Sequence, residues 1–509
     1  MGSDKKRVLK EIIRAIRSDR GYGILLTVIF LSLGAVNSAH HEMWRDELQA
    51  WLIARDSSII DLPKNLKYEG HPGLWHLSLL PLTRITWSPL IMQVFHLLIA
   101  GATVYLFTTF SPFGKVQKAL FPFGYFTFYE YAVICRNYAL GFLLLILFCL
   151  LFPKRWERFP IIGIILLLAS HTSVHALILV ISIAVMLLWD FISSDHPVKR
   201  GTYIGFILIL IGIITSIIQL KPPSDSGFAV GWKFDFDPDH LKRVIGLIPR
   251  SFIPIPRFIF HFWNTNFLDA IPSSTNVKLS LACLILLWCL ILLLRKPIPL
   301  LFHLLGTLGL CAFFYTKYFG SMRHHGFLFI TFLISAWIST YCDGSTRIFR
   351  PLRAVSMALE KSMGKVMMAI LFLHLVGGVS ATGMDFKNPF SQGKSAASFI
   401  REGGFDEMMI VGHEDMTLPI IGYLQKDRFY YPRSRRFGSF GIWDINWRRT
   451  RRIPIESVLQ EVKRVEEGEV LIIFPSPLKE EIKLRYSLAE IGRFEKAIVG
   501  EIYYLYVMR

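Results

Sequence analysis

Apolar runs of membrane-spanning length, broken by short loops rich in lysine and arginine, constrain this chain more than any other feature. They lie at residues 22–39, 90–110, 119–134, 139–152, 159–170, 176–189, 203–220, 279–294, 298–315, 327–341 and 366–380. A bilayer accepts such runs as helices, because each backbone N–H and C=O must find its partner within the segment. About eleven transmembrane helices are therefore expected. Residues 159–189 read as two short helices broken at His171, Thr172 and Ser173. Composition agrees: 53% of residues are apolar and 18% charged, and the mean hydropathy is +0.44. A soluble domain carries about 25% charged residues. Disorder, a collagen, a disulfide-rich scaffold and an ordinary cytosolic enzyme are excluded on this ground.

The net charge of +18 divides unevenly along the chain. From Gly383 onward 20 Lys and Arg are balanced by 18 Asp and Glu, so the excess belongs to the hydrophobic part. It reflects the positive-inside rule more than a nucleic-acid surface, and no nucleic-acid partner is expected. Lys5, Lys6, Arg7, Lys10, Arg14, Arg17 and Arg20 precede the first run. No convincing cleavage site follows it, so an uncleaved first span with a cytoplasmic N-terminus is expected. Threading from there, Lys115/Lys118, Lys154/Arg155/Arg158, Lys199/Arg200, Arg295/Lys296 and Arg347/Arg350/Arg353/Lys361 all fall on the cytoplasmic side.

Parity then places the loop 40–88, the turn 130–138, the loop 221–277 and everything after Ala381 on the far side. The expected fold is a polytopic α-helical membrane domain, residues 1–380, followed by an extracytoplasmic α/β domain, residues 381–509. In that tail, strand-like segments 408–411, 428–431 and 470–474 alternate with helical segments 418–425, 455–465 and 478–489. A closing strand pair is expected near 494–499 and 501–507. The six cysteines all lie in or beside apolar runs, with no CxxC pair, so neither a disulfide framework nor a thiolate metal site is indicated.

The first far-side loop carries the densest chemistry. Arg45, Asp46 and Glu47 follow directly on a span, and Trp44, Leu48, Trp51 and Leu52 have helical spacing. The segment is expected to lie in the membrane interface on its apolar face. The adjacent carboxylates Asp46 and Glu47 could coordinate a divalent ion or act as a general base. A solvated amphipathic turn, with Arg45 and Arg55 as ion-pair partners, is the alternative. Tyr68-Glu69-Gly70-His71-Pro72 then re-enters the membrane, and His71 either orients a carboxylate, contacts a phosphate or is structural. Two later turns hold polar groups at membrane depth: Glu130, Arg136, Asn137 and Tyr138 in one, Lys317, Arg323, His324 and His325 in the other. Charges at that depth are costly and line cavities, and arginine suits bidentate phosphate binding. Together with the acidic pair they favour a lipid-phosphate site over snorkelling arginines. Asp235, Asp237 and Asp239 fail the EF-hand pattern and read as a solvated turn. In the tail, Arg433, Arg435, Arg436, Arg448, Arg449, Arg451 and Arg452 are interleaved with Phe437, Phe440, Trp443 and Trp447. That composition suits anionic lipid headgroups or an anionic glycan, or is a plain solvated face.

These residues resemble the GT-C superfamily of polytopic lipid-phosphate-dependent glycosyltransferases, which includes protein O-mannosyltransferases and lipid A aminoarabinose transferases. The likeness rests on WRDELQAWLIAR after the first span, YEGHPGLWHL before the second, YAVICRNYALG, RHHGFLF and a far-side α/β tail. It is nearest the bacterial O-mannosyltransferase-like branch. Gly73 follows Pro72 where many relatives have a second proline. The resemblance implies an enzyme of the inner (plasma) membrane that transfers a sugar, with inversion, from a polyprenyl-phosphate donor to a lipid-linked, glycan or protein acceptor. Asp46 would be its base or a metal-proximal carboxylate, with Glu47 in the same motif. Arg136, Tyr138, His71, Glu69, Arg323 and His324 would line the donor-phosphate and substrate site. A divalent ion (Mg²⁺ or Mn²⁺) held by Asp46 and Glu47 is the one cofactor it admits. A lipid or glycan transporter or flippase, and a non-catalytic scaffold of the same fold, are the competing readings.

Overall fold

The computed structural model describes residues 18–194, 197, 199–228, 231–345, 349–450 and 453–509. Lys5, Lys6, Arg7, Lys10, Arg14, Arg17, Arg347, Arg451 and Arg452 lie outside the described residues. Helix α1 (Asp19–His40) begins where Ser18 accepts a bond from the Gly21 N–H, with Asp19 in the first turn. Both groups satisfy or oppose the orphan N–H dipoles of a helix start. Loop helix α2 (Arg45–Asp56) and re-entrant helix α3 (Leu74–Ile85) follow, and then α4 (Leu90–Phe110) packs along α1. A Cβ at Gly34 would fall 2.5 Å from a Leu97 methyl, and one at Gly101 2.7 Å from a Leu31 methyl. Small residues on each helix thus set their close approach, as lipid offers no hydrophobic drive of its own.

Among the described residues seven helices are long and apolar enough to cross a membrane, α1 and α4 among them. The others are α7 (Val174–Ser193), α8 (Arg200–Leu220), α9 (Ser274–Leu293), α10 (Pro297–Thr316) and α12 (Arg350–Lys387). Runs 139–152 and 159–170 form the shorter apolar helices α5 (Tyr138–Leu151) and α6 (Phe159–Ser170). Run 327–341 lies in α11 (Met322–Ser339), which is buried along its whole length. The break between α6 and α7 falls at His171–Ser173, where the Asn137 amide donates to the Thr172 carbonyl.

Run 119–134 departs from the expected regular span. It is a short helix, a 3-10 turn at Phe121–Phe123 and a wholly buried π-helix at Tyr125–Val133. Pro122 lacks an N–H and Gly124 is extended, so the α ladder cannot run through. The wider π turn ends in extended Ile134 and delivers Cys135, Arg136 and Asn137 as a fixed turn. The α2 segment also departs from expectation. Leu48, Trp51, Leu52 and Ile53 are fully buried, so no apolar face is left for lipid. The helix is held between α3 and the tail domain: Trp51 belongs to the membrane core and Leu52 to the core of the tail, with Leu418 and Ile421.

Helix α12 runs through residues 380–381 to Lys387 and leads into α13 (Gly393–Glu402). The tail folds around one six-stranded mixed sheet in the order β3-β2-β1-β4-β6-β5. Strands β1 (Met409–Val411), β2 (Phe429–Tyr431) and β4 (Val470–Phe474), with helices Leu418–Leu424 and Ile455–Val465, stand where the alternation puts them. Three features differ from the sequence reading. Strand β3 (Arg436–Gly438) is a three-residue edge strand with no pattern long enough to read. The helix expected over 478–489 is only Glu480–Arg485. The closing pair is β5 (Leu488–Phe494) against β6 (Tyr503–Met508), with β5 earlier than expected and irregular between Glu490 and Gly492.

Candidate active site

The start of α2 faces three elements that are remote in sequence. One Asp46 carboxylate oxygen lies 3.6 Å from an Arg136 nitrogen and 3.6 Å from an Arg323 nitrogen. The other lies 3.4 Å from Arg45 Nε. Asp46 is 27% exposed, whereas Arg136 and Arg323 are about nine-tenths buried. Three guanidinium groups around one carboxylate leave the pocket cationic. Burial pushes the Asp46 carboxyl up, but Arg136, Arg45 and Arg323 outweigh it and hold it below its ordinary value. Asp46 is therefore ionised at neutral pH.

Arg136 is held by its backbone turn and by its own side chain. It donates to the Asp46 main-chain oxygen at 2.6 Å and to His71 Nε2 at 3.3 Å. Because Nε2 accepts, His71 is neutral; burial, followed by the Arg136 charge, drives its pKa well below 6.5. Arg323 is flanked by the faces of Trp44 and Trp263 at 5.7 and 5.2 Å. Its Nε is buried with no partner, which suits a group waiting for an anion. His324 Nδ1 accepts from the Ser321 N–H at 2.8 Å, so its Nε2–H donates to the Tyr138 hydroxyl oxygen at 2.8 Å. Tyr138 keeps its own O–H to give away. Glu69 accepts from the Gln49 amide at 2.8 Å, and that amide also donates to Gly441 of the tail. Burial raises the Glu69 carboxyl to about 7, against the pull of the Gln49 bond and Arg136.

Asp46, Arg136, His71, Arg323, Tyr138, His324 and Glu69 thus lie in one polar cluster at the start of α2. Glu47 does not join them. It is wholly buried on the other side of the helix start. One of its oxygens accepts the Cys135 N–H at 2.6 Å; the other accepts the Trp44 N–H at 3.1 Å and meets His41 Nε2 at 3.2 Å. With Glu47 saturated and Asp46 hemmed by arginines, the pair does not fit a divalent ion: the ion would meet one free carboxylate and three like charges. Among the described residues no group of three or more His, Cys, Asp or Glu is placed to hold a metal.

Several residues around the start of α2 gave no signal in the sequence. Glu501, at the end of the connection that leads into β6, accepts the Arg45 N–H at 3.0 Å and so caps α2 from the tail domain. Ser391 donates to it at 2.8 Å. Burial, opposed by Arg45, raises the Glu501 carboxyl to about 7. His41 bonds Asp385 at 2.8 Å through its other ring nitrogen. Burial lowers its pKa, but Asp385 and Glu47 outweigh that and raise it to about 10, so it is an imidazolium between two carboxylates. The basic cluster of the tail stands apart. Arg435 and Arg464 both pair with Glu461, and Arg436 with Glu414. Trp443 and Trp447 pack into the domain core rather than beside the arginines on the surface.

The spans, the buried polar cluster at one end of them and the docked α/β domain define a multi-pass membrane protein of GT-C-like fold. The fold is shared with a crystal structure of ArnT from Cupriavidus metallidurans bound to undecaprenyl phosphate, with a TM-score of 0.52, 10% identity, and coverage of 96% of this chain and 98% of that one. No protein-family model matches the chain, and no curated protein matches it in sequence.

Proposed function

We propose that the protein is a membrane glycosyltransferase that moves a sugar from a polyprenyl-phosphate donor to an extracytoplasmic hydroxyl acceptor. The observation that carries this reading is the single carboxylate Asp46 set between Arg136 and Arg323 at 3.6 Å each. The solved structure of like fold holds undecaprenyl phosphate, the chemistry such arginines recognise. In the reaction the acceptor oxygen attacks the anomeric carbon. The bond from that carbon to the phosphate oxygen breaks, the acceptor proton passes to Asp46, and the configuration inverts. The leaving phosphate gains one negative charge, and the cationic pocket stabilises it as it forms.

Donor binding also prepares the base. Without donor, Asp46 is, among the described residues, the one carboxylate paired with both Arg136 and Arg323. A bound phosphate takes over those guanidiniums, and the carboxylate, relieved of its partners, becomes a stronger base. On this reading residues 1–380 are the membrane part and 381–509 the acceptor-side domain, joined within the last turns of α12, with the N-terminus cytoplasmic and the tail outside the inner membrane. No step needs a metal ion.

The test is a transfer assay in liposomes with a panel of polyprenyl-phosphate sugars and membrane lipid extract, run beside Asp46→Asn. Consumption of one donor by the wild type and not by the variant supports the reading. If no donor is consumed, or if Asp46→Asn matches the wild type, a transporter or a scaffold takes its place.

A further inference from the structure

Glu47 is adjacent to Asp46 yet cannot reach the reacting atoms, and its bonds explain why it stands there. Its carboxylate joins two backbones: the Trp44 N–H at the start of α2 and the Cys135 N–H at the end of the π-helix. Asp46 is the residue before Glu47, and Arg136 is the residue after Cys135. One buried carboxylate therefore sets the distance between the base and the phosphate-binding arginine. His41 donates to that carboxylate from one side and to Asp385 of α12 from the other. All three side chains are at least nine-tenths buried.

We infer that Glu47, His41 and Asp385 are positioning residues: a buried carboxylate–imidazolium–carboxylate relay that fixes Asp46 against Arg136. The relay ties the catalytic turn to α12, the helix that leads into the tail domain. The catalytic half of this inference rests on the transferase reading above; the structural half does not.

Two measurements separate them. In the full-length protein in detergent, Glu47→Gln is expected to raise amide hydrogen exchange in segments 43–48 and 133–138. This readout needs no substrate. In the transfer assay the same variant is expected to lose about 10²-fold in kcat, the scale of a misplacement near 1 Å. Asp190→Asn serves as the stability-matched control. It breaks the buried Arg155–Asp190 pair, 2.6 Å long, near the opposite end of α7. That end lies about 22 Å along the helix from His175, whose ring stacks on that of His324 at 4.7 Å. Asp190→Asn is expected to lower the melting temperature without changing kcat. If Glu47→Gln does not fold, Asp385→Asn, which leaves both backbone bonds of Glu47 in place, is expected to raise exchange in 43–48 and lower kcat about 10-fold. Wild-type exchange at 133–138 in Glu47→Gln, or at 43–48 in Asp385→Asn, overturns the relay. A kcat loss shared equally by Asp190→Asn overturns the positioning role. A wild-type protein that transfers nothing refutes the transferase reading alone, because the exchange result stands by itself.

Discussion

Asp46 and Glu47 are consecutive carboxylates on one helix, yet they occupy opposite kinds of environment. Around Asp46 charge is unbalanced, part of the side chain is open, and Arg323 Nε has no partner. Around Glu47 both carboxylate oxygens are hydrogen-bonded, by three donors in all, and no surface is exposed. Successive helical residues point about 100° apart, so one step along the chain moves a carboxyl from a partly open, cationic cluster to a closed structural joint. An acidic pair in sequence is thus no warrant for a paired site; the donors on each face decide what each member does.

The sharpest way to break that contrast is to neutralise Asp46. Asp46→Asn is expected to reduce transfer about 10³-fold. Undecaprenyl phosphate binding should stay the same or tighten, because the variant no longer competes for Arg136 and Arg323. Weaker binding would show that Asp46 is part of the phosphate site rather than its placeholder. Next come the arginines. Arg323→Ala or Arg136→Ala is expected to weaken undecaprenyl phosphate binding about 10–100-fold, as charge-assisted bonds are lost. Titration by tryptophan fluorescence measures this, since Trp44 and Trp263 flank Arg323.

On the other face the effect is on stability. Glu47→Ala leaves the Cys135 and Trp44 N–H groups buried without acceptors and is expected to cost about 2–4 kcal/mol. Asp46→Asn should lower the melting temperature far less. Equal losses would erase the distinction between the two sites. A smaller, pH-dependent effect belongs to Glu501. Its carboxyl rises from an ordinary 4.5 to about 7 on folding, so folding opposes its ionisation. Its contribution is most favourable below pH 4.5 and is lost as pH rises through 7. The melting temperature of Glu501→Gln, relative to wild type, should therefore climb between pH 5 and pH 8. A flat difference would place the Glu501 carboxyl in its ordinary range. At the bottom of the scale, Arg435→Ala should change neither melting temperature nor transfer, because its pair with Glu461 is solvent-screened.

Much of the pocket was legible because charges at membrane depth are rare enough to be conspicuous. Arg136 and Arg323 stand out between apolar runs, and Asp46 lies just past one. What the sequence could not show was which neighbours use each group. Glu47 looked like half of a metal pair because its three donors are backbone or distant atoms that leave no residue pattern. Glu501 sits in an ordinary turn sequence, and only tertiary contact brings it to α2. Helix α2 read as interfacial because its apolar spacing fits a membrane surface as well as a domain interface. The π-helix was hidden for a local reason: Tyr125–Val133 is as apolar as a span, and only the Pro122 and Gly124 breaks hint that its ladder changes pitch. In the tail, Leu488–Phe494 mixes charged and apolar residues around an irregular register, so its strand period is blurred.

The cap on α2 also has a consequence in time. Glu501 and the Arg45 N–H it accepts are 456 residues apart, and His41 is 344 residues from Asp385. A ribosome emits Asp46 early and must thread nearly all the remaining chain before its helix can be closed from the tail side. During synthesis the spans can enter the bilayer one after another while the pocket stays unfinished. The cap on α2 is completed only with the last stretch of the chain, so the start of that helix stays unclosed until the tail domain has folded.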